Sequence, residues 1–242
     1  MSRTPLLARQ TGFTLTELAI VLIIVGLLIG GMMVPLSAQR DIQSANETQR
    51  QLTEIKEALL GFAIVNGRLP CPAAPGTTGV EAPVGGAACS NPWDGFLPAA
   101  TLGVGPTDAQ GYALDAWNNR IRYAVTTSDS SAFTSSNGMK TRWNSATPMM
   151  SPDLHVCNSA AAIAGTNCPA PNFLTNSAVA VVFSAGKNGG DTPTSAGELA
   201  NWTSSVDRVF VGTEAGPDFD DMLLWLSPNI LFSRMITAGK LP

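Results

Sequence analysis

Residues Gly12 to Val25 read G-F-T-L-T-E-L-A-I-V-L-I-I-V, and the apolar run they open continues to Leu36. Leu18 to Leu36 contains no charged residue. Its length is close to the ~20 residues with which a helix crosses the hydrocarbon of a bilayer. A secretory signal places its small-residue cleavage site after the apolar segment, so the segment is lost on processing. Here the small residue, Gly12, precedes it. Cleavage at this point would leave the hydrophobic helix on the mature chain, with Glu17 close to the new N-terminus. Thr14-Leu15-Thr16-Glu17 also has the S/T-x-x-E form of a capping box, in which hydroxyl and carboxylate answer the free N–H groups of a helix start. The helix dipole favours a carboxylate there in any case.

Working outward, Arg3 and Arg9 lie before the run, while Arg40 and Asp41 nearly cancel beyond it. The positive-inside bias then predicts a single membrane pass, with a cytoplasmic N-terminus and the bulk of the chain sent outward. Beyond the run the composition changes but a helical period persists. Ile42, Ala45, Leu52, Ile55, Leu59 and Phe62 recur at threes and fours, with a gap near Thr48 and Gln49. One helix from Phe13 to about Val65 would extend ~80 Å. Asn66-Gly67 supplies a stop, and Pro70 and Pro72 prevent resumption. Pro35 is expected to kink the helix or mark its exit from the membrane.

The remaining chain, with most of the 23 glycines and 17 prolines, reads as a turn-rich head. Leu69 to Gly111 has no sustained period. Ile121, Tyr123 and Val125 alternate with Arg120, Arg122 and Ala124, which predicts a strand. Further strands are expected over Ala178–Ser184, Val206–Val211 and Met222–Leu226. Ser227-Pro228 and Gly239 bracket a short final helix. The fold class is α+β: a long N-terminal helix, transmembrane then amphipathic, followed by a loop-rich head with an antiparallel β-sheet. The expected divisions are a leader over 1–12, a membrane or core helix over 13–36, its amphipathic continuation over 37–66 and the head over 67–242.

Cys71, Cys89, Cys157 and Cys168 include no C-x-x-C pair, and His155 is the single histidine. That spacing does not suit zinc. Two disulfides in an oxidising compartment fit better than four buried thiols. Of the three connectivities, Cys71–Cys89 with Cys157–Cys168 closes the shortest loops. The formal charge is −4, and loss of residues 1–12 would remove two arginines from that balance. Such a chain is a poor general binder of nucleic acid, which demands Lys and Arg against phosphate. There is no G-x-x-x-x-G-K-[ST] loop and no G-x-S-x-G elbow. Asp218, Asp220 and Asp221 have no companion His, Cys or second carboxylate motif at recognisable spacing and read as a solvated turn or a capping group. No enzyme is expected.

Gly12-Phe13-Thr14-Leu15-Thr16-Glu17 with its apolar run resembles the processing site of type IV prepilins and type II secretion pseudopilins. The resemblance implies cleavage after Gly12 by a prepilin peptidase and N-methylation of Phe13. It implies that Glu17 meets the free amine of a neighbouring subunit and sets filament register. It also implies that the helix between Gly26 and Pro35 unwinds on assembly. Gly26 and Gly30 form a G-x-x-x-G that would otherwise serve close helix packing. Partners would be other pilin subunits and the assembly machinery. In the head, Asp115–Tyr123 loosely resembles a D-x-W-G-N-x-x-x-Y stretch of pseudopilins. Phe183–Asp191 with Glu198 and Trp202 is similar to the glycine-rich loop of major pseudopilins. That likeness implies calcium, with Asp191 and Glu198 as carboxylate ligands; the plain alternative is a surface loop without a cofactor. The competing reading of the whole chain is a membrane-anchored periplasmic enzyme or ligand-binding protein that uses the helix only as a tether.

Overall fold

The computed structural model describes residue 12 and residues 14–145, 150–193, 195–202, 208–216 and 218–242, without the side chains of residues 31–36 and 162. Phe13 and the side chain of Pro35 therefore lie outside the described residues. The chain divides into two compact units, residues 1–43 and 44–242.

In the first unit, helix α1 (Leu15–Asn66) begins at the capping box. The Thr14 N–H donates to Glu17 Oε2 at 2.8 Å, and the Glu17 N–H donates to Thr14 Oγ1 at 3.3 Å. Every described residue from Thr14 to Gly30 is exposed. A helix apolar on all sides belongs in a membrane or inside an assembly, since no single face is reserved for a core. Among the described residues no helix is long and apolar enough to cross a membrane. The end of the apolar run, residues 31–36, falls where side chains are not described.

The second unit is α+β and layered. An antiparallel sheet runs β1 (Gly95–Phe96), β2 (Arg122–Val125), β5 (Ala180–Ser184) and β7 (Met222–Leu226), in that spatial order. A second sheet is ordered β4 (Phe173–Ala178), β3 (Leu154–Cys157) and β6 (Val209–Val211), with β3 and β6 parallel. Strand pleating explains the stacking. Tyr123, Val125, Ala180 and Val182 face Leu52, Ile55, Leu59 and Leu60 of α1. The intervening Ala124, Val181 and Phe183 face Leu154, Val156 and Phe210 of the second sheet. Covered on both faces, β5 is buried at every residue, hence its apolar run from Ala180 to Phe183. The last helix, Pro228–Thr237, starts with proline in its first turn and packs Leu231 and Met235 into the α1 side of the core.

Several expectations shift in detail. Ala178–Ser184 is not one strand: Val179 separates β4 from β5, which belong to different sheets, and its N–H and carbonyl bond Leu226 and Thr126 instead. The gap in the α1 stripe is occupied by Thr48, fully buried, whose hydroxyl accepts the Ala116 N–H at 3.2 Å. Ile42, placed on the stripe by its period, is 62% exposed. The sixth strand starts at Val209, and Val206 lies outside the described residues. Disulfides join Cys71 to Cys89 and Cys157 to Cys168, with Cα–Cα separations of 5.3 and 5.6 Å. Leu59 is 1% exposed at the centre of the helix–sheet contact. Leu59→Ala is expected to cost about 2–5 kcal/mol, read as a lowered urea midpoint at unchanged slope.

Candidate functional site

Two regions carry chemistry: the N-terminal segment and a carboxylate cluster in the head. At the N-terminus, Gly12 is exposed with nothing within 4 Å of an added Cβ. Glu17 is exposed and held by Thr14, whose N–H and hydroxyl both donate to the same carboxylate oxygen. Gly26 and Gly30 likewise face open space. An open glycine, a reciprocal cap and an all-round apolar helix thus occur in sequence on one exposed segment.

Residues 7–33 match the family model described as the prokaryotic N-terminal methylation motif. The chain carries the prepilin-type cleavage and methylation motif. No curated protein and no solved structure matches the chain. The prepilin-type motif covers the N-terminal segment only, so the head is understood from its own geometry.

That geometry centres on Asp115. Its Oδ1 accepts the N–H groups of Trp117 and Asn119, each at 2.8 Å, and its Oδ2 accepts the Ser184 hydroxyl at 2.5 Å. Burial nevertheless pushes the Asp115 carboxyl above its ordinary pKa. Asn119 then donates to the Gly186 carbonyl at 2.6 Å. Together with the Thr48–Ala116 bond, these contacts tie α1, the Asp115–Tyr123 segment and the glycine-rich loop into one network. Gly186 has φ +63°, and a Cβ there would collide with Asp220. Only glycine suits a left-handed residue pressed against a carboxylate.

The loop delivers its backbone to that carboxylate. Lys187 and Asn188 N–H groups donate to Asp220 Oδ2 at 2.8 and 3.2 Å. Glu198, on the helix Ala196–Trp202, accepts the Asn188 amide at 3.0 Å and the Asp220 N–H at 3.3 Å. Asp221 accepts the Asn201 amide at 2.7 Å. One ligand oxygen from each of Glu198, Asp220 and Asp221 lies within 4.8 Å of the others. Glu198 and Asp221 are buried, and Asp220 Oδ1 is buried with no hydrogen-bond partner among the described residues. Desolvation, reinforced by the neighbouring carboxylates, pushes Asp221 up to about 7 and raises Asp220 as well.

The placement corrects the solvated-turn reading of the aspartates, while Asp220 does cap backbone N–H groups of the loop. Asp218 is exposed, but Asp221 is buried and Asp220 half-buried. Glu198 belongs to the cluster. Asp191 does not; it is exposed, bordering with Glu198 and Asp221 a cavity of about 10 Å³, room for one ion or water. Asp220 and Asp221, desolvated beside Glu198, call for protons or a cation. An all-oxygen donor set suits a hard ion such as calcium. His155 lies on β3 away from this cluster, its pKa lowered by burial and by Arg208. The signal that could have linked Asp220 and Asp221 to Glu198 is pairing in space, which spacing along the chain does not carry.

Proposed function

We propose that the protein is a structural subunit of a type IV pilus or type II secretion pseudopilus-like filament. The observation that carries this reading is the prepilin-type motif at residues 7–33, continued by a helix exposed and apolar on every side. A prepilin peptidase cuts after Gly12, and Phe13 becomes the methylated first residue. The precursor waits in the inner membrane with its head in the periplasm. Assembly with other pilin subunits then packs the apolar helices into a filament core. Glu17 pairs with the amine of a neighbouring subunit and fixes register, while Gly26 to Pro35 is the stretch that unwinds to fit the core. In the head, Glu198, Asp220 and Asp221 hold calcium, which offsets two of their three charges and fastens the glycine-rich loop to the helix Ala196–Trp202.

The reading is tested by Gly12→Val. Without a Cβ-free residue at the scissile bond the peptidase is denied the backbone. The expected result is accumulation of full-length precursor in the membrane fraction and loss of the subunit from sheared filaments. Normal processing and assembly of this variant would refute the proposal.

A further inference from the structure

The two disulfides of the head differ in access. Cys157 and Cys168 are both buried, in a cluster with Val209, Val211 and Phe219. Cys71 is fully buried as well, but Cys89 is half-buried in a stretch where Ala87, Ala88 and Ser90 are exposed. Thiol–disulfide exchange begins with a thiolate attacking one sulfur of the bond, so access to that sulfur governs whether a bond opens in a folded protein. Of the four cysteines, Cys89 is the one that solvent reaches.

The loop that Cys71–Cys89 closes is also fastened without that bond. Buried Glu81 accepts from both terminal nitrogens of buried Arg68, at 2.6 and 2.7 Å, the two-point geometry in which guanidinium and carboxylate bind most strongly. The same carboxylate accepts the Cys71 N–H and the Gly85 N–H, each at 3.1 Å, so it joins the two arms of the loop. Closer to Cys89, the Thr134 hydroxyl donates to the Ala87 carbonyl at 2.7 Å, and the Ser90 N–H donates to the Ala82 carbonyl at 3.1 Å. Gly86, at φ +77°, lies so near the Thr134 carbonyl and Arg68 that a Cβ would collide with both. None of these contacts involves a sulfur. Taking away either member of a buried ion pair strands the other charge, so the pair resists separation.

We propose that Cys71–Cys89 is a thiol-exchange site on the folded head, entered at Cys89, with the Arg68–Glu81 pair holding the loop while the bond is open. A dithiol reductant attacks the Cys89 sulfur through one thiolate. A mixed disulfide forms there, and Cys71 leaves as a thiolate that takes a proton from water. The second thiolate of the reductant then attacks its partner sulfur in the mixed disulfide and releases Cys89, which is protonated in turn. Two electrons and two protons have passed to the protein, and the reductant has become a cyclic disulfide. A disulfide oxidant closes the bond by the reverse steps. The site is independent of the filament reading, because every group in it belongs to the head. To test it, the full chain in detergent is treated with dithiothreitol under conditions that keep it folded, quenched with iodoacetamide and mapped by mass spectrometry. Cys71–Cys89 is expected to open roughly a hundredfold faster than Cys157–Cys168. The Gly85 amide should keep its protection from hydrogen exchange in the opened protein. With single thiols, Cys71→Ser should take glutathione from glutathione disulfide at Cys89 roughly tenfold faster than Cys89→Ser takes it at Cys71. Equal opening rates for the two bonds, or no opening of Cys71–Cys89 while the head stays folded, would overturn the proposal without reliance on any variant. Loss of Gly85 protection on opening would overturn it too, since the loop would then depend on the sulfur bond.

Discussion

Glu17→Gln is expected to be processed and capped normally yet to enter filaments at least a hundredfold less well than the parent chain. Glutamine serves at the third position of a capping box as glutamate does, so it keeps the reciprocal bonds with Thr14. What it lacks is charge. In the filament reading, the carboxylate leaves Thr14 for the free amine of a neighbouring subunit inside an apolar core. Removing one partner of a buried ion pair costs about 3–5 kcal/mol, or roughly two to three and a half orders of magnitude in an equilibrium. Glu17→Leu removes both charge and cap, and should fail in assembly as well while still being cut after Gly12. Immunoblots of sheared filaments against membrane fractions measure both. Incorporation of Glu17→Gln at the parental level would reduce Glu17 to a helix cap and remove its register role.

Calcium should raise the melting temperature of the protein, and by more at pH 8 than at pH 5. With Asp221 pushed up to about 7 and Asp220 raised, the folded protein without cation holds protons that the unfolded chain has released. Between the ordinary carboxylate pKa and about 7 the native state therefore binds more protons, so stability without cation falls as pH rises through that window. Calcium must displace those protons at pH 5 but finds the carboxylates ionised at pH 8. At a hundredfold excess over its dissociation constant it would add about 2.7 kcal/mol. For a chain of this size that corresponds to roughly 5–10 °C. Melting in EDTA and in calcium at the two pH values checks this. Glu198→Gln should abolish most of the calcium increment while making the cation-free protein less dependent on pH. The absence of any calcium shift at pH 8 would leave the cluster to protons alone.

Much of the architecture was legible in the sequence because it rests on local pattern. The capping box, the α1 period over Leu52, Ile55 and Leu59, the alternation at Ile121 to Val125 and the Ser227-Pro228 start all depend on neighbours a few residues away. The misses have physical causes too. Thr48 looked like a break in the apolar stripe because its burial depends on a hydrogen bond from Ala116, distant in sequence. β4 is an edge strand of mostly exposed or half-buried residues, so it lacks the apolar signature of a core strand. β3, at Leu154–Cys157, is too short for a period to register. The carboxylate cluster draws on Glu198 and on Asp220 and Asp221, which meet only because the helix Ala196–Trp202 and the segment before β7 converge on the glycine-rich loop. Asp191, implied as a ligand by the likeness to the major pseudopilin loop, stands outside the cluster.

The account turns on whether the prepilin-type motif is used, and the N-terminus of the mature protein answers that. Intact-mass and tandem mass spectrometry of the protein purified from its native membrane should show a chain beginning at Phe13 and carrying one methyl group on its α-amine. A chain retaining residues 1–12 would contradict the account and favour a tethered periplasmic protein.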